Sequence, residues 1–227
     1  MPDQGPAAGG IESLYPFLYA GQADRDAVLE QVRRSTVEKA GEIVALRETV
    51  AERFAEQLTA CAEAMARSFA AGGRLLAFGN GGSATDAQDV ASLFLHPEGG
   101  GRPLPAISLT SDVAVVTALS NDVGFEVVFA RQVGAWGRKG DVALGLSTSG
   151  GSANVLRAFE EASRRGMVTV GLAGYDGGKM AEADTIDHLF VVPSSSVHRI
   201  QEAQTSLYHV LWELTQAALG EVGEQPS

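Results

Sequence analysis

A single cysteine, Cys61, in 227 residues leaves no internal disulfide to form. Set in a helical pattern, it reads as a small buried apolar side chain rather than a nucleophile. Basic residues are few. The 17 Lys and Arg stand against 28 Asp and Glu, a formal net charge of −11. So acidic a chain is not expected to bind nucleic acid, whose phosphates are held by clustered Lys and Arg. A local phosphate site built from backbone N–H groups is not excluded. No apolar run approaches the roughly 18 residues of a membrane-spanning helix, so no membrane partner is expected. The opening MPDQGPAAGG has neither the basic nor the apolar region of a signal peptide, and a cytoplasmic protein is the expectation.

The chain has the length of one α/β domain with extra helices, and its apolar fraction of 45% is ordinary for a globular protein. Residues 1–23 read as a disordered or extended arm. Within it IESLYPFLYAG (11–21) is aromatic enough to pack on a neighbouring helix or another subunit. Two helical segments are expected over 24–71, the first to about Glu48 and the second from about Thr49, with Phe54, Leu58, Cys61, Met65 and Phe69 at helical spacing. Gly72-Gly73 ends them. From 72 to 220 short apolar runs alternate with helices: RLLAF (74–78), PAISL (105–109), DVALGLS (141–147), MVTVGLAG (167–174) and HLFVVP (188–193). That alternation predicts a parallel sheet covered on both faces, an α/β fold in three layers. A long helix from Val197 to Leu219 closes the domain, and 221–227 form a polar tail. Trp136 and Trp212 fall on helical patterns and are expected to pack.

Two strand-to-helix loops carry unusual chemistry. GNGGS (79–83) lets a backbone come close to a ligand and puts Ser83 where an N-cap belongs. STSGGS (147–152) offers the hydroxyls of Ser147, Thr148, Ser149 and Ser152 beside the amides of a helix start. In open α/β sheets ligands sit beyond the carboxyl ends of the strands, so the two loops suit one phosphate monoester. Each loop alone also reads as a tight turn with a serine cap. The first further fits G-x-G-x-x-A through Gly79, Gly81 and Ala84, but Glu98, the acidic residue at the right spacing, lies in a loop.

GNGGS, the pair Asn121-Asp122 in LSNDVGFEVVF, GDVALGLSTSGGSANVL, GYDGGKMAEAD and HRIQEAQTSLYHVL occur in that order. Together they resemble the sugar-isomerase (SIS) domain, and within it the phosphoheptose isomerases. The resemblance implies a five-stranded parallel sheet flanked by helices, a homotetramer, and sites built across subunit contacts. It implies a small sugar phosphate as ligand, held by Asn80, Gly81, Gly82, Ser83, Ser147, Thr148, Ser149 and Ser152, with Asn121, Asp122 and Gln201 nearby.

Moving a proton between adjacent carbons needs a base beside the carbonyl and a group that stabilises the enediolate oxygen. The family carries a His and a Glu one turn apart on the helix after GNGGS, and a Gln and a His on the last helix; these four can bind zinc. Gln201 and His209 keep the last pair at a spacing of eight. On the first helix the two positions are Asp89 and Leu93. Leu93 cannot accept a proton. Asp89 and His209 are then the candidate catalytic pair, and Asp89, Gln201 and His209 the remaining candidate zinc ligands. His209 reads equally as a core or interface histidine. Asp86, one turn before Asp89, matches an acidic position the family already has. His96 and His198 flank helices, His188 sits at a strand edge, and Glu202 reads as a solvated or ion-paired helix residue. A catalytic aldose–ketose isomerase and a non-catalytic sugar-phosphate or nucleotide-sugar sensor or adaptor both remain open.

Overall fold

The computed structural model describes residues 22–223. The aromatic stretch 11–21 and the last four residues of the tail lie outside them. A first unit ends at Ala45 and a second begins at Leu46. Helix α1 spans Gln22–Ala70. It runs without a break through 48–49, where the sequence reading divides two helices. The stretch RETVAERF contains no Gly or Pro, and its Arg and Glu are good helix formers, so nothing there stops the backbone ladder.

The second unit alternates strand and helix: β1 Leu75–Gly79, α2 Gly82–Leu95, β2 Ala106–Ser108, α3 Val113–Asp122, α4 Val128–Trp136, β3 Val142–Ser147, α5 Ala153–Arg164, β4 Val168–Gly174, α6 Gly178–Ala181, β5 His188–Val192 and α7 Val197–Gly223. All five strands are parallel, in the order β2-β1-β3-β4-β5. The architecture is the expected three-layer α/β/α sandwich. β1 and β3 are buried along their whole length, as a sheet covered on both faces requires.

One core layer gathers Leu76, Phe78 and Ala143 of the sheet against Val128, Phe129 and Val133 of α4 and Val155, Ala158 and Phe159 of α5. Phe78 packs at 5.6 Å from Phe129 and 5.4 Å from Phe159. On the other side the apolar stripe of α1 buries Phe54, Leu58, Cys61, Met65 and Phe69. Phe69 stacks on Phe94 of α2, and Phe54 meets Phe190 of β5 edge-on. Cys61 is fully buried, and burial pushes its thiol pKa up to about 12, so it is inert at neutral pH. Trp136 departs from expectation: it is 54% exposed, next to the short edge strand β2.

The strand order decides where a ligand can sit. From β1 the chain turns outward to β2. From β3 it continues in the opposite direction to β4 and β5. The crevice opens where the order reverses, at the carboxyl ends of β1 and β3. Residues 79–83 and 147–152 leave the sheet at those two ends.

Candidate active site

The two loops are joined by side chains. Asn80 donates to Asn154 Oδ1 at 2.8 Å, and Asn154 returns a bond to Asn80 Oδ1 at 2.9 Å. Asn154 lies in the first turn of α5 and is 3% exposed. This reciprocal amide pair ties the start of α5 to the loop after β1. Sequence reading missed it. The available signal is a polar residue on the face of α5 that otherwise buries Val155, Ala158, Phe159 and Ala162.

The second loop is braced from inside and behind. Ser147 and Ser152 share a hydroxyl hydrogen bond at 2.9 Å. Ser152 stands at the N-cap of α5 but makes no side-chain cap, so its hydroxyl is turned to Ser147. Ser149 is exposed, and its Oγ accepts from the Gly151 N–H at 3.2 Å. Gly150 has a φ of 62°, a region that favours glycine, and a Cβ there would collide with the Gly177 carbonyl oxygen. The Met180 N–H closes the contact on Gly150 O at 2.9 Å. A cavity of about 610 Å³ opens from Ser149 along Tyr175, Asp176, Pro193, Ser194 and Ser195. Tyr175, at its mouth, holds a positive φ of 53°.

The first loop differs in one respect from the sequence reading. Gly81, with a φ of 56°, is the N-cap of α2, and no side chain caps it. Ser83 already belongs to the first turn and is buried. Gly82 is glycine for a local reason: a Cβ would overlap the amide of Gln201. Gln201, on α7, is thus brought against the backbone of GNGGS, and its Nε2 donates to Asp86 Oδ2 at 3.3 Å. Asn121 and Asp122 lie exposed at the end of α3, where Asn121 donates to Asp122 at 2.8 Å; no hydrogen bond joins them to either loop.

The faces of α2 and α7 meet below the loops. Asp86 and Asp89 are one turn apart, and burial, then the charge of Asp89, holds the Asp86 carboxyl above its usual range, against the lowering hydrogen bond from Gln201. Tyr208 donates to Asp89 Oδ2 at 2.6 Å, and Asp89 Oδ2 lies 3.9 Å from His209 Nε2. The Tyr208 ring is 1% exposed and stacks on the His209 imidazole at 5.3 Å. Burial, together with the bond to Asp89, raises the Tyr208 hydroxyl pKa, so it remains a donor at any ordinary pH. Tyr208 was also missed in the sequence, where an aromatic on the buried face of a helix reads as packing. Glu202 pairs with Arg199 at 2.7 Å, as expected of an ordinary helix charge.

The residues present do not fit the zinc centre that the family resemblance implies. A closed zinc site takes about four ligands. Leu93 offers none, Asp89 accepts from Tyr208, and Gln201 is a weak ligand engaged with Asp86. Among the described residues no three His, Cys, Asp or Glu side chains cluster around a common point.

Comparison with known proteins accounts for the scaffold. The SIS domain family model matches residues 40–174. The phosphoheptose isomerase of Roseiflexus sp. (strain RS-1) is 46% identical over 171 residues, covering 75% of this chain and 86% of the relative. The chain belongs to the phosphoheptose isomerase family of SIS-domain proteins. Solved family structures superpose on it: the phosphoheptose isomerase of Neisseria gonorrhoeae at a TM-score of 0.75 and 38% identity, over 82% of this chain and 99% of that one. The enzyme of Francisella tularensis gives 0.76 and 33%, over 84% and 98%. The matched residues include both loops, 79–83 and 147–152.

Proposed function

We propose that the protein binds a phosphoheptose such as sedoheptulose 7-phosphate and interconverts its ketose and aldose forms. The observation that carries the reading is the Asn80–Asn154 pair, which joins two glycine- and serine-rich loops at the switch point of the sheet. The names of the relatives support the same substrate class.

In this reading the amides and hydroxyls of 147–152 hold the phosphate, with Asn80, Gly81, Gly82 and Ser83 along the sugar. The Asp89 carboxylate, 55% exposed, takes a proton from C1 of the ketose. The electron pair moves through C2 to the carbonyl oxygen, which receives a proton from His209. The C1 hydroxyl then returns its proton to His209 as C1 becomes the carbonyl, and Asp89 delivers its proton to C2. Both side chains end as they began.

Assembly belongs to the same proposal. Helix α3, VAVVTALSND, has no buried residue, and Val113 and the following Phe125 are more than half exposed. An apolar groove of about 350 Å³ runs between residues 47–59 and 203–214, lined by Val50, Leu58, Leu207, Val210 and Leu214. These faces suit a homotetramer, in which the exposed Asn121 and Asp122 would reach a neighbour's site. No helix among the described residues is long and apolar enough to cross a membrane, and we assign the protein to the cytoplasm.

The test is direct. Purified protein is incubated with sedoheptulose 7-phosphate and the aldose product is measured. Product that disappears in Asp89→Asn and His209→Ala supports the enzyme. Leu93, where the family has its Glu, favours the second reading, a non-catalytic sugar-phosphate sensor. Calorimetric binding without turnover would select it. Ser149→Ala with Ser152→Ala should weaken binding by about 1.5–3 kcal/mol per charged hydrogen bond lost; unchanged affinity would remove the phosphate assignment.

A further inference from the structure

We propose that Tyr208 stands in for the metal at this site, so that the α2–α7 face works as a metal-independent Tyr208–Asp89–His209 cluster. The inference rests on the isomerase reading for its chemistry, but its first test does not.

Three observations lead to it. Asp89 faces α7 and already has a partner there, because the Tyr208 hydroxyl donates to its Oδ2 at 2.6 Å. That hydroxyl is itself fixed: the ring is 1% exposed, and Thr205 Oγ1 lies 3.3 Å away while Thr205 is anchored on Gln201 O at 3.0 Å. The carboxylate is therefore held in one orientation with Oδ2 3.9 Å from His209 Nε2. One turn after Asp89 on α2 stands Leu93, which offers no ligand, and one turn before it Asp86 already accepts from Gln201 at 3.3 Å. A divalent ion needs several ligands that converge and are free to turn toward it. Here one carboxylate is bound by a phenol, the other by the Gln201 amide, and a single imidazole remains.

Tyr208 is accordingly a positioning residue. It does not touch the sugar; it keeps Asp89 pointed for proton transfer, the orienting task that a metal or a hydrogen-bonded outer partner performs elsewhere. Thr205 and Gln201 extend the brace back to Asp86 and the GNGGS backbone, so the phosphate loop and the proton-carrying carboxylate share one rigid frame.

The experiment uses the full chain in three forms: wild type, Tyr208→Phe, and Asp89→His with Leu93→Glu. Each is dialysed against zinc chloride, and bound zinc per chain is measured by atomic absorption. The expected result is no stoichiometric zinc in wild type and a gain of metal in the double variant. One zinc per wild-type chain that is lost in Asp89→Asn overturns the proposal. Turnover of sedoheptulose 7-phosphate is then followed with and without EDTA. Wild type should be indifferent to the chelator, and Tyr208→Phe should lose about 10- to 100-fold in kcat at unchanged KM, the size of effect seen when an outer partner is removed. Full kcat in Tyr208→Phe, or loss of wild-type activity with EDTA, overturns it. Should no form turn over any sugar phosphate, the isomerase reading falls, and the zinc stoichiometry still decides whether this site is metal-free.

Discussion

Asn80 and Asn154, 74 positions apart, exchange two amide hydrogen bonds across the crevice between β1 and β3. Each side chain satisfies the other, which aligns the loop after β1 with the start of α5 without a charge. In Asn154→Ala the Asn80 amide loses its partner in a part-buried setting, at a cost of about 1–3 kcal/mol. Urea denaturation should show that loss. Calorimetry with the sugar phosphate should show weaker binding as well, because the two halves of the cradle are no longer held in register. A variant with lower stability and native affinity would show that the pair is structural only.

Two glycine substitutions should separate stability from function. Gly150→Ala forces a Cβ onto the Gly177 carbonyl at a positive φ, and backbone cannot move aside cheaply. Gly82→Ala meets only the far end of the Gln201 side chain, which can swing away. The expected outcome is a large drop in the melting temperature for Gly150→Ala. Gly82→Ala should melt near wild type but lose activity, because Gln201 is displaced from the GNGGS backbone. Thermal melts and steady-state kinetics on the two proteins check both halves.

The strands were legible in the sequence because each is a short apolar run closed by Gly, Pro or Ser, and all five lie within about two residues of the expected ranges. The order β2-β1-β3-β4-β5 was not legible, since parallel strands pair through crossovers that leave no local signal. The break expected near Thr49 failed because no Gly or Pro there interrupts the helical ladder. In the site, Ser147, Ser149, Ser152, Asn80, Gln201, Asp89 and His209 are candidates named from loop chemistry and resemblance. Asn154 and Tyr208 were not, because their roles depend on partners 74 and 119 positions away.

Cys61 should be silent in the native protein. It is fully buried, and its thiol pKa is pushed up to about 12, chiefly by burial and further by Asp187. A thiol-specific chromogenic reagent at neutral pH should therefore give no signal from folded protein and one equivalent after denaturation. Rapid native labelling would mean that the stripe of α1 opens far more readily than its packing against Phe94 and Phe190 implies.

Glu161 supplies a pH-dependent part of the stability. Burial alone would raise its carboxyl, but the hydrogen bonds and charges of Arg164 and Arg165, both at 2.6 Å, hold it below the usual 4.5. Its folded-state value is thus depressed relative to the unfolded chain. The sign follows from linkage: the contribution is fully present above the unfolded value and is lost as pH falls through the lowered one. Arg165 also donates to Gly137 O at 2.9 Å, which links the end of α5 to the end of α4. Glu161→Gln should therefore lower the urea midpoint at neutral pH, and the gap to wild type should close as the pH drops below about 4.5. Because the group is near the surface, the gap should also narrow in high salt. A gap that stays constant from neutral to acid pH would mean that Glu161 acts through packing rather than charge.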